Sequence, residues 1–138
     1  MRAKTQEEAL QKQLSYMLMG DSSEVYSDKA MALAYEPMNV GRISDPHGEA
    51  EITGNCGDTF SISFRLKNDK ISETGFLTDG CGATLACGSA LTEMLKGKSL
   101  YEARKLQPQH ILDYLDGLPA SHVHCAVLAI QTLKKALK

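Results

Sequence analysis

The chain has 138 residues, with 15 Lys and Arg against 17 Asp and Glu for a net charge of −2. That is one domain's worth of sequence, with no field to gather nucleic acid or an anionic membrane. Aromatic residues make up 6% and Trp is absent, so a stacking platform for single strands is poorly supplied and nucleic acid is set aside as a partner. No stretch approaches the roughly 20 apolar residues of a membrane span, and Met1 to Leu14 carries Glu7 and Glu8 with no secretory apolar run. The expectation is a soluble, cytoplasmic protein with no membrane partner. Four cysteines in such a chain favour metal or sulfur chemistry over a disulfide framework, because a reducing compartment keeps thiols free.

Residues 1–25 read as an N-terminal extension with a short amphipathic helix, Leu10, Leu14 and Met17 falling at i, i+4 and i+7. The main domain is 26–138. Ser27 to Tyr35 reads as a helix ended by Pro37, and Asn39-Val40-Gly41 turns the chain. Glu49 to Thr53 is a short strand. Phe60, Ile62, Phe64 and Leu66 alternate with Thr59, Ser61, Ser63 and Arg65, the period-2 pattern of a strand with one core face. Asn68-Asp69 turns into a partner strand, Lys70 to Thr78, where Ile71 and Phe76 are out of phase; Gly75 is the position expected to hold a correcting bulge. From Ala83 the period becomes helical, with Cys87, Leu91 and Met94 on one face and Gly97 as the C-terminal cap. Ser99 to Glu102 is a capping box, and Pro108 opens a helix running to about Leu115. A long final helix is expected over Ser121 to Leu137, with Ser121 as its cap and Lys134, Lys135 and Lys138 near its negative end. Strands first and helices second predict an α+β fold: a three-stranded antiparallel sheet with helices packed on one face.

The chemistry-bearing residues fall at the seams of this pattern. Cys56 sits in Gly54-Asn55-Cys56-Gly57-Asp58 between two predicted strands, and Asp58 at i+2 can converge with it on one metal. Cys81, in Asp79-Gly80-Cys81-Gly82, lies where a strand meets a helix, and His124-Cys125 falls in the first turn of the last helix. A thiol near a helix N-terminus is biased toward the thiolate that ligates metal or attacks sulfur. Cys56, Asp58, Cys81, His124 and Cys125 thus give five candidate donors for a site that needs four. The surplus suits a site that loads and releases its cargo through an exchangeable imidazole or carboxylate, whereas a structural zinc is served by a closed set of four. The cysteines are separated by 25 and 44 positions with no C-x-x-C pair, so the spacing alone is not diagnostic. Cys87 reads as a buried, inert thiol, Asp79 as a turn residue, and His47, His110 and His122 as side chains outside the site.

At these residues the sequence resembles the IscU/NifU N-terminal family of iron–sulfur cluster assembly scaffolds. The resemblance runs from about Tyr26 to Lys138, on Asn39-Val40-Gly41, Cys56-Gly57-Asp58, Gly80-Cys81-Gly82-Ala83, Ala90 to Lys98, Leu118-Pro119 and His124-Cys125-Ala126-Val127-Leu128-Ala129. It implies that Cys56, Cys81 and Cys125 are the ligand cysteines, with Asp58 and His124 as the aspartate and histidine of the set, and that 26–138 is the scaffold domain. It also implies a scaffold and not an enzyme: sulfur taken from a cysteine desulfurase, iron and electrons from other donors, a transient 2Fe-2S cluster built and passed to recipient apoproteins. Where housekeeping members offer Leu-Pro-Pro-Val-Lys to a specialised chaperone, this chain has Leu118-Pro119-Ala120-Ser121-His122, so chaperone docking is not carried over by the resemblance. Glu36-Pro37-Met38-Asn39 stands where the usual segment is Asn-Pro-Arg-Asn.

Two other readings compete. In one, Cys125 accepts sulfur while a zinc in place of the cluster orders the site, a zinc-dependent sulfurtransferase or persulfide relay; that branch of the family carries an insertion between its second and third cysteines, and the 44-residue gap here is short for it. In the other, a permanent zinc makes a stable interaction module, which would unfold when the metal is lost.

Overall fold

The computed structural model describes residues 25–138; the expected N-terminal helix lies outside them. Helix α1 spans Asp28–Tyr35 and is capped by Ser27, whose hydroxyl accepts from the Ala30 amide at 3.0 Å and donates to the Leu115 carbonyl. Strands β1 (Gly48–Thr53), β2 (Thr59–Lys67) and β3 (Lys70–Thr78) form an antiparallel sheet in the order β1-β2-β3. Helices α2 (Gly82–Leu95), α3 (Leu100–Arg104), α4 (Pro108–Tyr114) and α5 (Val123–Ala136) follow, with a 3-10 turn at Ala120–His122 just before α5. No helix of the described residues is long and apolar enough to cross a membrane.

The β2 alternation does what its pattern predicts: Phe60, Ile62 and Phe64 are buried, and with Ile71 and Phe76 of β3 they form the sheet's core face. Side chains of this size contribute roughly 1.5–3 kcal/mol each when fully buried. Asn68 and Asp69 both take positive φ, 55° and 62°, the paired left-handed conformation that matches a two-residue hairpin to strand twist. The register shift lies between Arg65 and Leu66, with Leu66 opposite Ile71 and Arg65 opposite Glu73. The extra residue is therefore Ser72 and not a bulge at Gly75, and it is Ser72 that brings Ile71 and Phe76 onto one face. Gly75 answers a different need: a Cβ there would stand 2.2 Å from the Gly41 carbonyl oxygen. Asn39-Val40-Gly41 runs along the edge of β3, where the Gly41 amide donates to the Phe76 carbonyl at 2.8 Å and the Phe76 amide to the Asn39 carbonyl at 3.0 Å.

Helix α2 is buried almost continuously from Ala83 to Thr92, Leu85 alone being partly exposed. It is sandwiched between the sheet and the α1 and α5 helices, which is why small residues dominate it. Its Gly88 lets the Phe76 ring approach to where a Cβ would be 2.3 Å away. The capping box of Ser99 and Glu102 forms as expected, and Pro108 opens α4. The last helix differs from expectation at its start. Ser121 lies inside the 3-10 turn, and His122 stands at the cap position without a side-chain capping bond.

Strand β1 ends at Thr53 opposite Thr59, and β3 ends at Thr78 opposite Phe60, so the 54–58 loop and the β3–α2 junction emerge at one end of the sheet. Helix α5 lies along β1 with Leu128 against Gly54 and its C-terminal Ala136 against Gly48. Its N-terminus, with His124 and Cys125, therefore reaches the same end.

Candidate metal centre

The first loop is short and tightly tied. The Gly54 amide donates to the Asp58 carbonyl at 2.9 Å, and the Gly57 amide to the Gly54 carbonyl at 3.0 Å. Gly57 takes φ 91°, a conformation that residues with a Cβ rarely adopt, and this turn lifts Cys56 to the surface. Ligand atoms of Cys56, Asp58 and His124 all lie within 4.8 Å of one another.

Cys81 holds the N-cap position of α2 with extended backbone and no side-chain capping bond, which places the residue at the positive end of the helix. Thr78 fixes the approach by accepting from the Gly80 amide at 3.0 Å, and Asp79 accepts from the Thr59 amide at 2.7 Å, the turn role its sequence suggests. Gly80 must lack a side chain: a Cβ would stand 2.6 Å from Thr84 Oγ1 and 3.0 Å from Asp58 Oδ2. Cys125, 1% exposed, accepts a hydrogen bond from Thr84 Oγ1 at 3.4 Å, and the same hydroxyl lies 3.9 Å from Cys81 Sγ.

These contacts set the protonation of the pair. The Cys125 thiol donates to Cys81, and the Ala83 and Thr84 amides and the Thr84 hydroxyl add to it against the cost of burial, holding Cys81 far below an ordinary thiol. Cys125 moves the other way, chiefly because it keeps the proton its partner has lost. The two thiols titrate together, Cys81 shifted toward the thiolate and Cys125 toward the thiol. Cys87, farther along α2 and fully buried, is pushed up to about 12 by desolvation and then by the Cys81 charge, which suits an inert core thiol. All four cysteines are free.

The structure thus brings Cys56, Asp58 and His124 together in one group, and Cys81 and Cys125 in another. The two touch where His124 Nε2 lies 3.7 Å from Cys125 Sγ. Sequence reasoning left out three residues that belong to this end of the molecule. His122 places Nδ1 4.0 Å from Cys81 Sγ and completes a group with Cys81 and Cys125 within 4.8 Å. The buried Tyr26 packs its ring on His122, centroids 5.7 Å apart, and Thr84 links the two inner thiols. A signal was available for two of them: Thr84 follows Cys81 by three positions and His122 precedes Cys125 by three, the interval that puts side chains on one side of a helical turn.

Residues 25–138 match the family model of the NifU-like N-terminal domain. The chain belongs to that family. Among the curated relatives, an iron–sulfur cluster assembly scaffold protein IscU of Archaeoglobus fulgidus is 39% identical over 115 residues, covering 82% of this chain and 74% of the relative. The scaffold protein IscU of Aquifex aeolicus is 39% identical over 117 residues, with the same coverage of 82% and 74%. The nitrogen fixation protein NifU of Trichormus azollae is 40% identical over 122 residues, or 81% of this chain and 40% of that longer protein. Among solved structures, a protein assigned as an assembly scaffold of the SUF system from Fervidobacterium islandicum superposes with a TM-score of 0.66 at 24% identity, covering 82% of this chain and 96% of that one. At that identity the superposition speaks for the fold alone. The NifU-like fold is the three-stranded antiparallel sheet covered by helices that the sequence pattern predicts.

Proposed function

We propose that this chain is an iron–sulfur cluster assembly scaffold, and that Cys56, Cys81 and Cys125 hold the growing cluster with Asp58 or His124 as the remaining donor. The observation that carries the reading is the gathering of three free thiols from three separate segments at one end of the sheet, one of them at the surface. Thiolate is the form that binds iron and attacks a persulfide. Membership of a family whose relatives are named as scaffolds supports the same role.

In this reading a cysteine desulfurase delivers sulfane sulfur to a site thiolate. Two sulfane sulfurs need four electrons to become sulfide: two come from the two ferrous ions as they become ferric and two from a separate donor, and the result is a labile 2Fe-2S cluster on the thiolates. The exposed Cys56 side gives a recipient apoprotein access to the cluster, which leaves by ligand exchange. The chain's own part is to bind, orient and release, so it acts as a carrier and turns over no substrate of its own. Zinc suits the same tetrahedral sulfur and nitrogen donors.

The test is anaerobic incubation of metal-stripped protein with ferrous iron, cysteine and a cysteine desulfurase, followed by visible absorbance. A chromophore in the parent that is lost in C56S, C81S and C125S is the expected result. Sulfur uptake on Cys125 supported by zinc, with no chromophore, would replace the scaffold reading by the sulfur relay.

A further inference from the structure

The donor atoms at this end of the sheet number six and fall into two groups that share no member: Cys81, His122 and Cys125 in one, Cys56, Asp58 and His124 in the other. We propose that these are two half-sites, each able to hold one divalent ion, and that His122 is a metal ligand of the inner one. This deepens the scaffold reading and rests on it for the identity of the ion as ferrous iron.

The geometry of the inner group is close to what a metal requires. A tetrahedral ion with bonds of about 2.3 Å to sulfur and about 2.0 Å to nitrogen spaces those two atoms about 3.5 Å apart, and Cys81 Sγ and His122 Nδ1 stand at 4.0 Å. All three donor atoms lie within 4.8 Å of one another. His122 is held for this. Its amide donates to the Pro119 carbonyl at 2.9 Å within the 3-10 turn, and the Tyr26 ring lies against its imidazole. His122 ends the 3-10 turn and His124 lies in the first turn of α5, and side chains two positions apart do not face the same way. His122 faces Cys81, while His124, two positions on, serves the Cys56 loop, and the imidazole centroids lie 6.2 Å apart.

The chemistry of the two groups differs in a useful sense. Two sulfurs and one nitrogen under cover make a soft, retentive inner site, and one sulfur, one oxygen and one nitrogen nearer the solvent make a weaker outer one. The two abut at Cys125 and His124, 3.7 Å apart, so two ions bound this way are neighbours before any sulfide arrives. The bridging sulfurs are then reduced to sulfide between ions already in place, with one electron from each ferrous ion and the remaining two from a separate donor. A 2Fe-2S cluster needs four protein ligands, so closing the bridges frees two of the six donors, His122 among them. The surplus of donors belongs to the loading stage and not to the finished cargo.

Cobalt(II) is the probe, because thiolate-to-metal charge transfer and ligand-field bands report both stoichiometry and donor type. In an anaerobic titration of the full chain, the parent should take up two cobalt ions. H122A should weaken the inner ion by on the order of 10- to 100-fold, and H122C should restore it with stronger thiolate charge transfer. C56S should instead remove the outer ion and leave the inner spectrum. A parent that saturates at one ion, or an H122A variant with the parent's stoichiometry and affinity, overturns the proposal. Cluster assembly followed in parallel keeps the outcomes apart: a chromophore in a parent that binds one cobalt sinks the half-sites and leaves the scaffold, whereas two cobalt ions and no chromophore does the reverse.

Discussion

The two donor groups lie side by side, yet their surroundings have little in common. Cys125 is buried, Cys81 and His122 are partly buried, and Thr84 and Tyr26 wall them in. Cys56 and His124 are exposed and sit with Asp58 beside a groove of 410 Å³ that runs along Val127 and Leu128. Charges under cover interact strongly because little water screens them, while exposed ones exchange readily. A site that must both keep and surrender its cargo is served by such a division, with the inner thiols as anchor and the outer loop as the door.

The largest break in this contrast is at Cys125. C125A removes an anchor and takes away the main proton donor to Cys81, so the chromophore should be lost entirely and the Cys81 thiol should titrate at higher pH, which visible absorbance and a pH series of alkylation would record.

Next come the two thiols of the Cys81–α2 segment. Cys81 is held at about 5, so at pH 7 it stays thiolate and should react with iodoacetamide, losing reactivity only as the pH falls through that value. Cys87, held at about 12 and fully buried, should stay unmodified until the chain is unfolded. Peptide mass analysis with and without denaturant separates them. The sign carries into stability. A folded pKa below the unfolded thiol's value of about 8.5 stabilises the fold at pH above that value, and the contribution fades as the pH drops toward the folded pKa; the Cys125 shift opposes it.

A smaller change tests the joint between the groups. The missing Cβ of Gly80 sits between Thr84 and Asp58, so G80A should cost about 1–3 kcal/mol in denaturant unfolding and weaken metal binding by both groups at once. The smallest effect is expected at the door. D58A should leave assembly intact and make the cluster a few-fold longer-lived in the presence of an apo-acceptor, and an unchanged decay would count against an exchangeable role for Asp58.

The strand and helix pattern carried most of the fold because its signals are local. The Phe60 to Leu66 alternation, the Asn68-Asp69 turn and the Ser99 capping box each specify their own geometry within a few residues. The errors arose where geometry depends on a partner. Gly75 looked like a bulge because a strand glycine usually marks one, yet its role is set by Gly41 on the neighbouring segment, which offers no periodic signal of its own. Ser121 had the chemistry of a cap, but the 3-10 turn carried the chain past it. At the site, each thiol was legible from the glycines or helix start beside it. The division into two groups was not, since it depends on where the segment before α5 places His122 relative to Cys81 and where the 54–58 loop meets His124, neither of which leaves a local signal.

In the scaffold reading, this end of the sheet carries a cluster in order to give it away. The direct measurement is anaerobic transfer from the loaded protein to an apo-ferredoxin, followed by the spectrum of each partner after separation and by circular dichroism of the donor. The chromophore is expected to move to the ferredoxin and to leave a folded chain that can be loaded again. A metal that stays bound, or a chain that unfolds when it leaves, would contradict it and point to a permanent metal holding the fold together.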